Sequence, residues 1–114
     1  MDSKTTQKPW GNFTQFSHNE KTTVKILTVR PNSKLSLQFH EHRDEFWKVL
    51  SGTGQIILGN KTINVKPDQE FFIPKKTNHR IMTQNSELKI LEISYGNFDE
   101  NDITRLEDDY DRIN

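Results

Sequence analysis

Short runs of alternating apolar and polar residues, each closed by a turn signal within roughly 8–12 residues of the last, constrain this chain most. Val24–Val29, ended by Pro31-Asn32, predicts a strand, as do Leu35–His42 and Glu45–Leu50, the last closed by Ser51-Gly52-Thr53-Gly54. Gln55–Leu58 and Thr62–Val65 flank Gly59-Asn60, a two-residue loop of the kind that tolerates positive φ, and so predict a hairpin. Glu70–Ile73, His79–Thr83 and Leu88–Tyr95 complete the series. Helix signals are sparse: only Asp99 or Asn101 is placed to cap a short helical turn running to about Leu106. Eight or so strands without intervening helices predict an all-β sandwich or barrel, of which the jelly roll is one solution.

Composition narrows the classes of function. A chain of 114 residues makes one domain. Sixteen Lys and Arg balance sixteen Asp and Glu, so the electrostatic footprint of a nucleic-acid binder is missing. The absence of cysteine excludes disulfides, thiolate-held zinc and thiol nucleophiles. No run approaches the ~18 apolar residues of a membrane span, and Met1 to Pro9 lacks the apolar stretch of a signal peptide, so the expected location is cytoplasmic and away from membranes. Only 31% of the residues are apolar. A small core, polar termini and a polar cavity would account for that, and a small core gains from dimerisation. The expected organisation is a flexible segment over residues 1–8, a barrel over 9–106 and a charged tail over 107–114.

Chemistry concentrates in Leu35-Ser36-Leu37-Gln38-Phe39-His40-Glu41-His42-Arg43-Asp44-Glu45. Strand alternation puts Gln38, His40 and His42 on one face. Three polar groups in a row are costly in a dry core, so this face lines a wet pocket, holds a metal, or is simply a half-exposed polar surface. Glu45 follows a short bend and is placed to return to the same site. His79 stands at the start of a later strand.

The wider spacing resembles the two cupin motifs: Asn32-x5-Gln38-x-His40-x4-Glu45-x6-Gly52, then Asp68-x5-Pro74-x-Lys76-x2-His79-x3-Thr83. That resemblance implies a small double-stranded β-helix, the cupin or jelly-roll barrel. It implies in turn that Gln38, His40, Glu45 and His79 hold one divalent metal, with zinc the first choice and iron, manganese, cobalt or nickel also suited to such donors. Glutamine replaces the usual first histidine, and Asn32 and Lys76 stand at glycine positions. Asn32 is a mild change, whereas Lys76 puts its turn in doubt. A narrower resemblance runs from Lys8-Pro9-Trp10-Gly11 through the Leu-Ser-Leu-Gln-x-His-x-His-Arg-x-Glu-x-Trp block to Asp102-Ile103-Thr104-Arg105, over roughly residues 8–112. It is similar to the C-terminal domain of type II mannose-6-phosphate isomerases, normally fused behind a mannose-1-phosphate guanylyltransferase. At this length the resemblance implies a stand-alone isomerase.

The implied reaction interconverts mannose 6-phosphate and fructose 6-phosphate through an enediol(ate), with the metal polarising O1 and O2. A base poised near neutral pH is needed. His42, beside the expected ligands, and Glu92, which shares a strand face with Leu88, Ile90 and Ser94, are the candidates, with Arg80 a further catalytic candidate. The sugar phosphate needs cations and walls: Arg43 and Arg80 rank first and Lys48 follows, with Arg105 and Arg112 further options, and Trp47 is a candidate pocket wall. Strict alternation counts against Arg80 and Lys48. Trp10 and Phe13 are expected to pack an N-terminal arm over the barrel or across the partner of a homodimer. The alternatives are a nucleotide-sugar isomerase or epimerase and a non-catalytic sugar-phosphate-binding barrel.

Overall fold

The computed structural model describes residues 3–110, and they contain eleven strands and no helix. The hairpin β1 (Lys4–Lys8) and β2 (Gly11–Gln15) forms a sheet of its own. Lys4–Lys8, expected to be a flexible lead-in, is thus a strand paired with β2. Two larger sheets follow. One joins β3 (Thr22–Val29), β10 (Leu88–Tyr95), β5 (Glu45–Gly52) and β8 (Glu70–Ile73), in that spatial order. The other joins β11 (Thr104–Glu107), β4 (Leu37–Phe39), β9 (His79–Met82), β6 (Gly54–Leu58) and β7 (Lys61–Val65).

The two sheets close on a core of Val29, Trp47, Val49, Ile56, Ile81 and Ile90 with their neighbours, the jelly-roll barrel of the sequence expectation. Alternation decides the faces. On β5, Trp47 and Val49 point inward while Lys48 pairs outward with Glu70. Gly59-Asn60 makes the expected two-residue turn, with Leu58 opposite Lys61 and positive φ at Gly59. Gly52 is required where it stands: at φ 86° an added Cβ would lie 1.8 Å from the Glu87 carbonyl oxygen.

The two lost glycines leave the turns intact. Asn32 adopts φ 56° and Lys76 φ 66°. For Lys76 that conformation costs about 1–2 kcal/mol. Its N–H donates to the His40 carbonyl at 2.6 Å, which ties the β8–β9 loop to the end of β4.

Two expectations fail on the same stretch of chain. No helical turn follows Phe98. Residues 99–101 form a turn, and Thr104–Glu107 pairs antiparallel with Leu37–Phe39. The carboxylate of Asp102 accepts the backbone N–H groups of Glu41 and His42 at 2.8 and 3.0 Å. That contact ends β4 at Phe39, three residues before the expected limit.

Candidate metal centre and substrate cavity

Three separated segments bring His40, Glu45 and His79 together, all buried, with one donor atom from each lying within 4.8 Å of the others. Glu45 and His79 come from the inward faces of β5 and β9, at the first residue of each strand. His40 comes from the bend just after β4. The imidazole rings of His40 and His79 are 5.0 Å apart, and Trp47 meets His79 edge-on at 5.4 Å.

The protonation of both histidines follows from their partners. His40 Nδ1–H donates to the Asp102 carbonyl at 2.6 Å, and His79 Nδ1–H donates to the Thr77 carbonyl at 2.9 Å. A carbonyl can only accept, so each ring carries its proton on Nδ1 and keeps a lone pair on Nε2. Both Nε2 atoms face the cluster, where His40 Nε2 lies 3.4 Å from Glu45 Oε2. Burial holds both imidazoles below their ordinary pKa, against the pull of the Glu45 charge, and so keeps them neutral. Two oriented neutral imidazoles and a carboxylate are the donor set of a divalent ion such as zinc, so the residues present fit the group.

The surrounding groups are equally ordered. Glu45 Oε1 accepts Trp47 Nε1–H at 3.1 Å, and Oε2 accepts Arg43 Nε–H at 2.9 Å. Arg43 also donates to His40 Nε2 at 3.3 Å and to the Asp99 carbonyl at 3.1 Å. Gln38 reaches the cluster, but its amide nitrogen lies 3.4 Å from His79 Nε2 while its oxygen accepts the Ser36 hydroxyl. For Gln38 to serve as an oxygen ligand, its amide must turn by half a revolution.

Beside the cluster is a cavity of about 20 Å³, lined by Gln38, His79, Trp47, Leu27, Leu35 and Glu92 among others. That is room for roughly one water. Glu92 is buried on the inward face of β10, between Ile90 and Ser94. Desolvation first, then the nearby Glu45 charge, push its carboxyl up to about 7, and Lys25, Arg43 and the Ser94 hydroxyl pull the other way.

Several expected site residues lie elsewhere. His42 is exposed, because the bend clamped by Asp102 takes it off the strand whose alternation would have aimed it inward. Lys48 faces outward to Glu70 at 3.4 Å. Arg80 donates to the Leu35 carbonyl at 2.8 Å and meets Glu107 at 3.5 Å, which fastens β9 to the chain around it and turns its charge away from the cluster. Arg105 lies on β11 opposite Gln38, and Arg112 is outside the described residues. Sequence reasoning missed Asp102, whose carbonyl orients His40 and whose carboxylate sets the bend. Its only signal was an Asp ahead of Ile-Thr-Arg, which reads as easily as a helix cap.

Comparison with known proteins decides the family. Residues 2–108 match the family described as mannose-6-phosphate isomerase C-terminal. The chain belongs to that family. Among similar proteins, the alginate biosynthesis protein AlgA of Pseudomonas aeruginosa is 39% identical over 107 residues, which is 92% of this chain and 22% of AlgA. The mannose-1-phosphate guanylyltransferase RfbM of Salmonella typhimurium is 37% identical over 102 residues, 88% of this chain and 21% of that enzyme. The chain therefore spans about a fifth of the length of these relatives. Among solved structures, a cupin 2 conserved barrel domain protein of Rhodopseudomonas palustris superposes with a TM-score of 0.66 at 20% identity, over 75% of this chain and 60% of that one. A putative sugar phosphate isomerase of Acidithiobacillus ferrooxidans gives a TM-score of 0.61 at 20% identity, over 67% and 51% of the two chains. Both likenesses establish the cupin fold for this mannose-6-phosphate isomerase C-terminal family member. Among the described residues, no helix is long and apolar enough to cross a membrane.

Proposed function

We propose that this domain is a metal-dependent sugar-phosphate isomerase that interconverts mannose 6-phosphate and fructose 6-phosphate. The observation that carries the reading is the placement of buried Glu92 on the same cavity as Gln38 and His79, beside the His40–Glu45–His79 cluster. Zinc, or iron, manganese, cobalt or nickel in its place, would be held by His40, Glu45 and His79 with Gln38 adjoining. It would supply polarisation of the two sugar oxygens.

The chain's own residues do the rest. Glu92, with its carboxyl raised to about 7, takes the proton from C2 of the open-chain sugar and, after exchange with solvent, delivers a proton to C1 while the hydroxyl proton of O2 passes to O1, being poised near the operating pH in both directions. Trp47 and Arg43 hold both oxygens of Glu45, which fixes the direction from which that carboxylate faces the site. The domain acts in the cytoplasm on a small-molecule sugar phosphate and works as a homodimer. The β1–β2 hairpin supports the dimer: it presents Trp10 at 73% and Phe13 at 41% exposure, and the edge strand β3 leaves Val24 and Ile26 more than half exposed. Hairpins of two strands are marginal alone. Sedimentation equilibrium is expected to give twice the chain mass, and a monomer at tens of micromolar would remove the dimer.

Turnover tests the isomerase. Metal-loaded protein incubated with mannose 6-phosphate in D2O is expected to form fructose 6-phosphate with deuterium entering at C1. Glu92→Gln should lower kcat by at least about a hundredfold. Binding of the sugar phosphate with neither turnover nor exchange would favour the non-catalytic barrel.

A further inference from the structure

Lys25 is a cation that acts on the Glu92 carboxyl through space, without an ion pair to it. It stands on the inward face of β3, directly across from Glu92 of β10 and two residues from Leu27, which lines the cavity. It is partly buried, yet among the described residues its ammonium makes no hydrogen bond and no ion pair. What it touches is the ring of Phe98, whose centroid lies 4.1 Å from Nζ. The guanidinium of Arg43 lies over the same ring at 4.5 Å. A cation held against an aromatic face gains less than it would from a charge-assisted bond to an oxyanion in the same place.

The loop bearing Phe98 is tied to the site. Arg43 binds the Asp99 carbonyl and Glu45, while His40 binds the Asp102 carbonyl, so residues 98–102 are fastened to the metal-binding cluster from above. The cavity of about 20 Å³ beside the cluster is far too small for a hexose phosphate. A ligand of that size needs neighbouring groups to move, and the ring of Phe98 is held against the two cations. The position suits a dianion at the far end of a ligand whose reacting carbons lie deeper, near Glu92.

We infer that Lys25 is the anchor for the phosphate of the sugar phosphate, with Arg43 beside it, and that the phosphate takes the place of the Phe98 ring between the barrel wall and the 98–102 loop. This rests on the sugar-phosphate reading above. It adds a binding residue from a strand that carries none of the motif positions. Arg43, with three nitrogens already engaged, contributes charge rather than a free donor, and the free donor is Lys25.

Calorimetric titration of the full chain with fructose 6-phosphate, inorganic phosphate and fructose tests the anchor. Wild-type protein is expected to bind fructose 6-phosphate and phosphate with an affinity that falls as salt rises. Lys25→Met should weaken fructose 6-phosphate binding at least about tenfold and leave fructose unchanged, while Lys25→Arg should stay within about threefold of wild type. If Lys25→Met fails to fold, as read by its melting curve, Lys25→Gln serves in its place. Unchanged fructose 6-phosphate affinity in the charge-free variant, or no phosphate binding by wild type, would overturn the proposal. The two readings fail separately. Turnover that persists with KM for mannose 6-phosphate unmoved in Lys25→Met sinks the anchor and leaves the isomerase standing. Lys25-dependent phosphate binding without turnover does the reverse.

Discussion

The two ends of this barrel are built from the same strands and have opposite chemistry. On β10 the inward face runs Leu88, Ile90, Glu92, Ser94; on β5 it runs Val49, Trp47, Glu45; on β9 it runs Ile81, then His79. Each strand is apolar at one end and polar at the other. Leu88, Ile90, Val49 and Ile56 have no exposed surface and form a dry plug. One or two positions further along, the same faces present Glu92, Glu45 and His79, all buried, with Glu45 accepting from Arg43 and Trp47 and His79 donating to the Thr77 carbonyl. Alternation therefore decides which side chains enter the barrel, while position along the strand decides whether they meet hydrocarbon or a site. The plug carries the hydrophobic stabilisation that the polar end gives up, since buried polar groups at best break even.

If that division holds, the largest effect on stability comes from the dry end. Ile90→Ala removes a side chain with no exposure from the centre of the plug and should cost about 4 kcal/mol, from lost transfer energy and the cavity left behind. Chemical denaturation of chelator-treated protein reads it. The variant should keep its metal stoichiometry, because Ile90 belongs to the apolar cluster and supplies no donor atom. A loss below about 1 kcal/mol would mean that the plug is not where the fold's stability resides.

The plug was legible in the sequence and the mouth only partly so. Period-two patterning depends on local chain geometry, and it located β3 and β5 to β10 within a residue or two. The convergence of His40, Glu45 and His79, with Gln38 adjoining, was legible through motif spacing, because the bend between His40 and Glu45 is short and its residue count is fixed. Where the chain departs from a regular strand, the same rule misled. His42 was assigned to the inward face on the premise that β4 continues to residue 42, but the Asp102 carboxylate, some 60 positions away, captures two N–H groups and stops it at Phe39. Asp102, Lys25 and Phe98 owe their importance to long-range contacts that no local window contains. Glu92 sits on the regular part of β10, so alternation placed it correctly, and only its surroundings were hidden.

A smaller and pH-dependent effect sharpens the contrast from the polar end. Glu92 has a folded-state carboxyl pKa raised to about 7 from an ordinary 4.5. Below pH 4.5 the group is protonated in both states and contributes nothing. Between 4.5 and 7 the unfolded chain releases the proton while the folded chain retains it, so stability falls as pH rises, and above 7 the full cost of the buried charge is present. Glu92→Gln removes that cost. In chelator-treated protein it should raise stability above pH 7.5 by on the order of 3 kcal/mol, at 1.36 kcal/mol per pKa unit, and by almost nothing at pH 4. Urea denaturation at the two pH values gives the difference directly. Equal gains at both would show that the carboxyl is penalised by shape rather than by charge. A loss at both would place an unseen partner beside Glu92, and the mouth would then be a satisfied polar network with no proton to exchange.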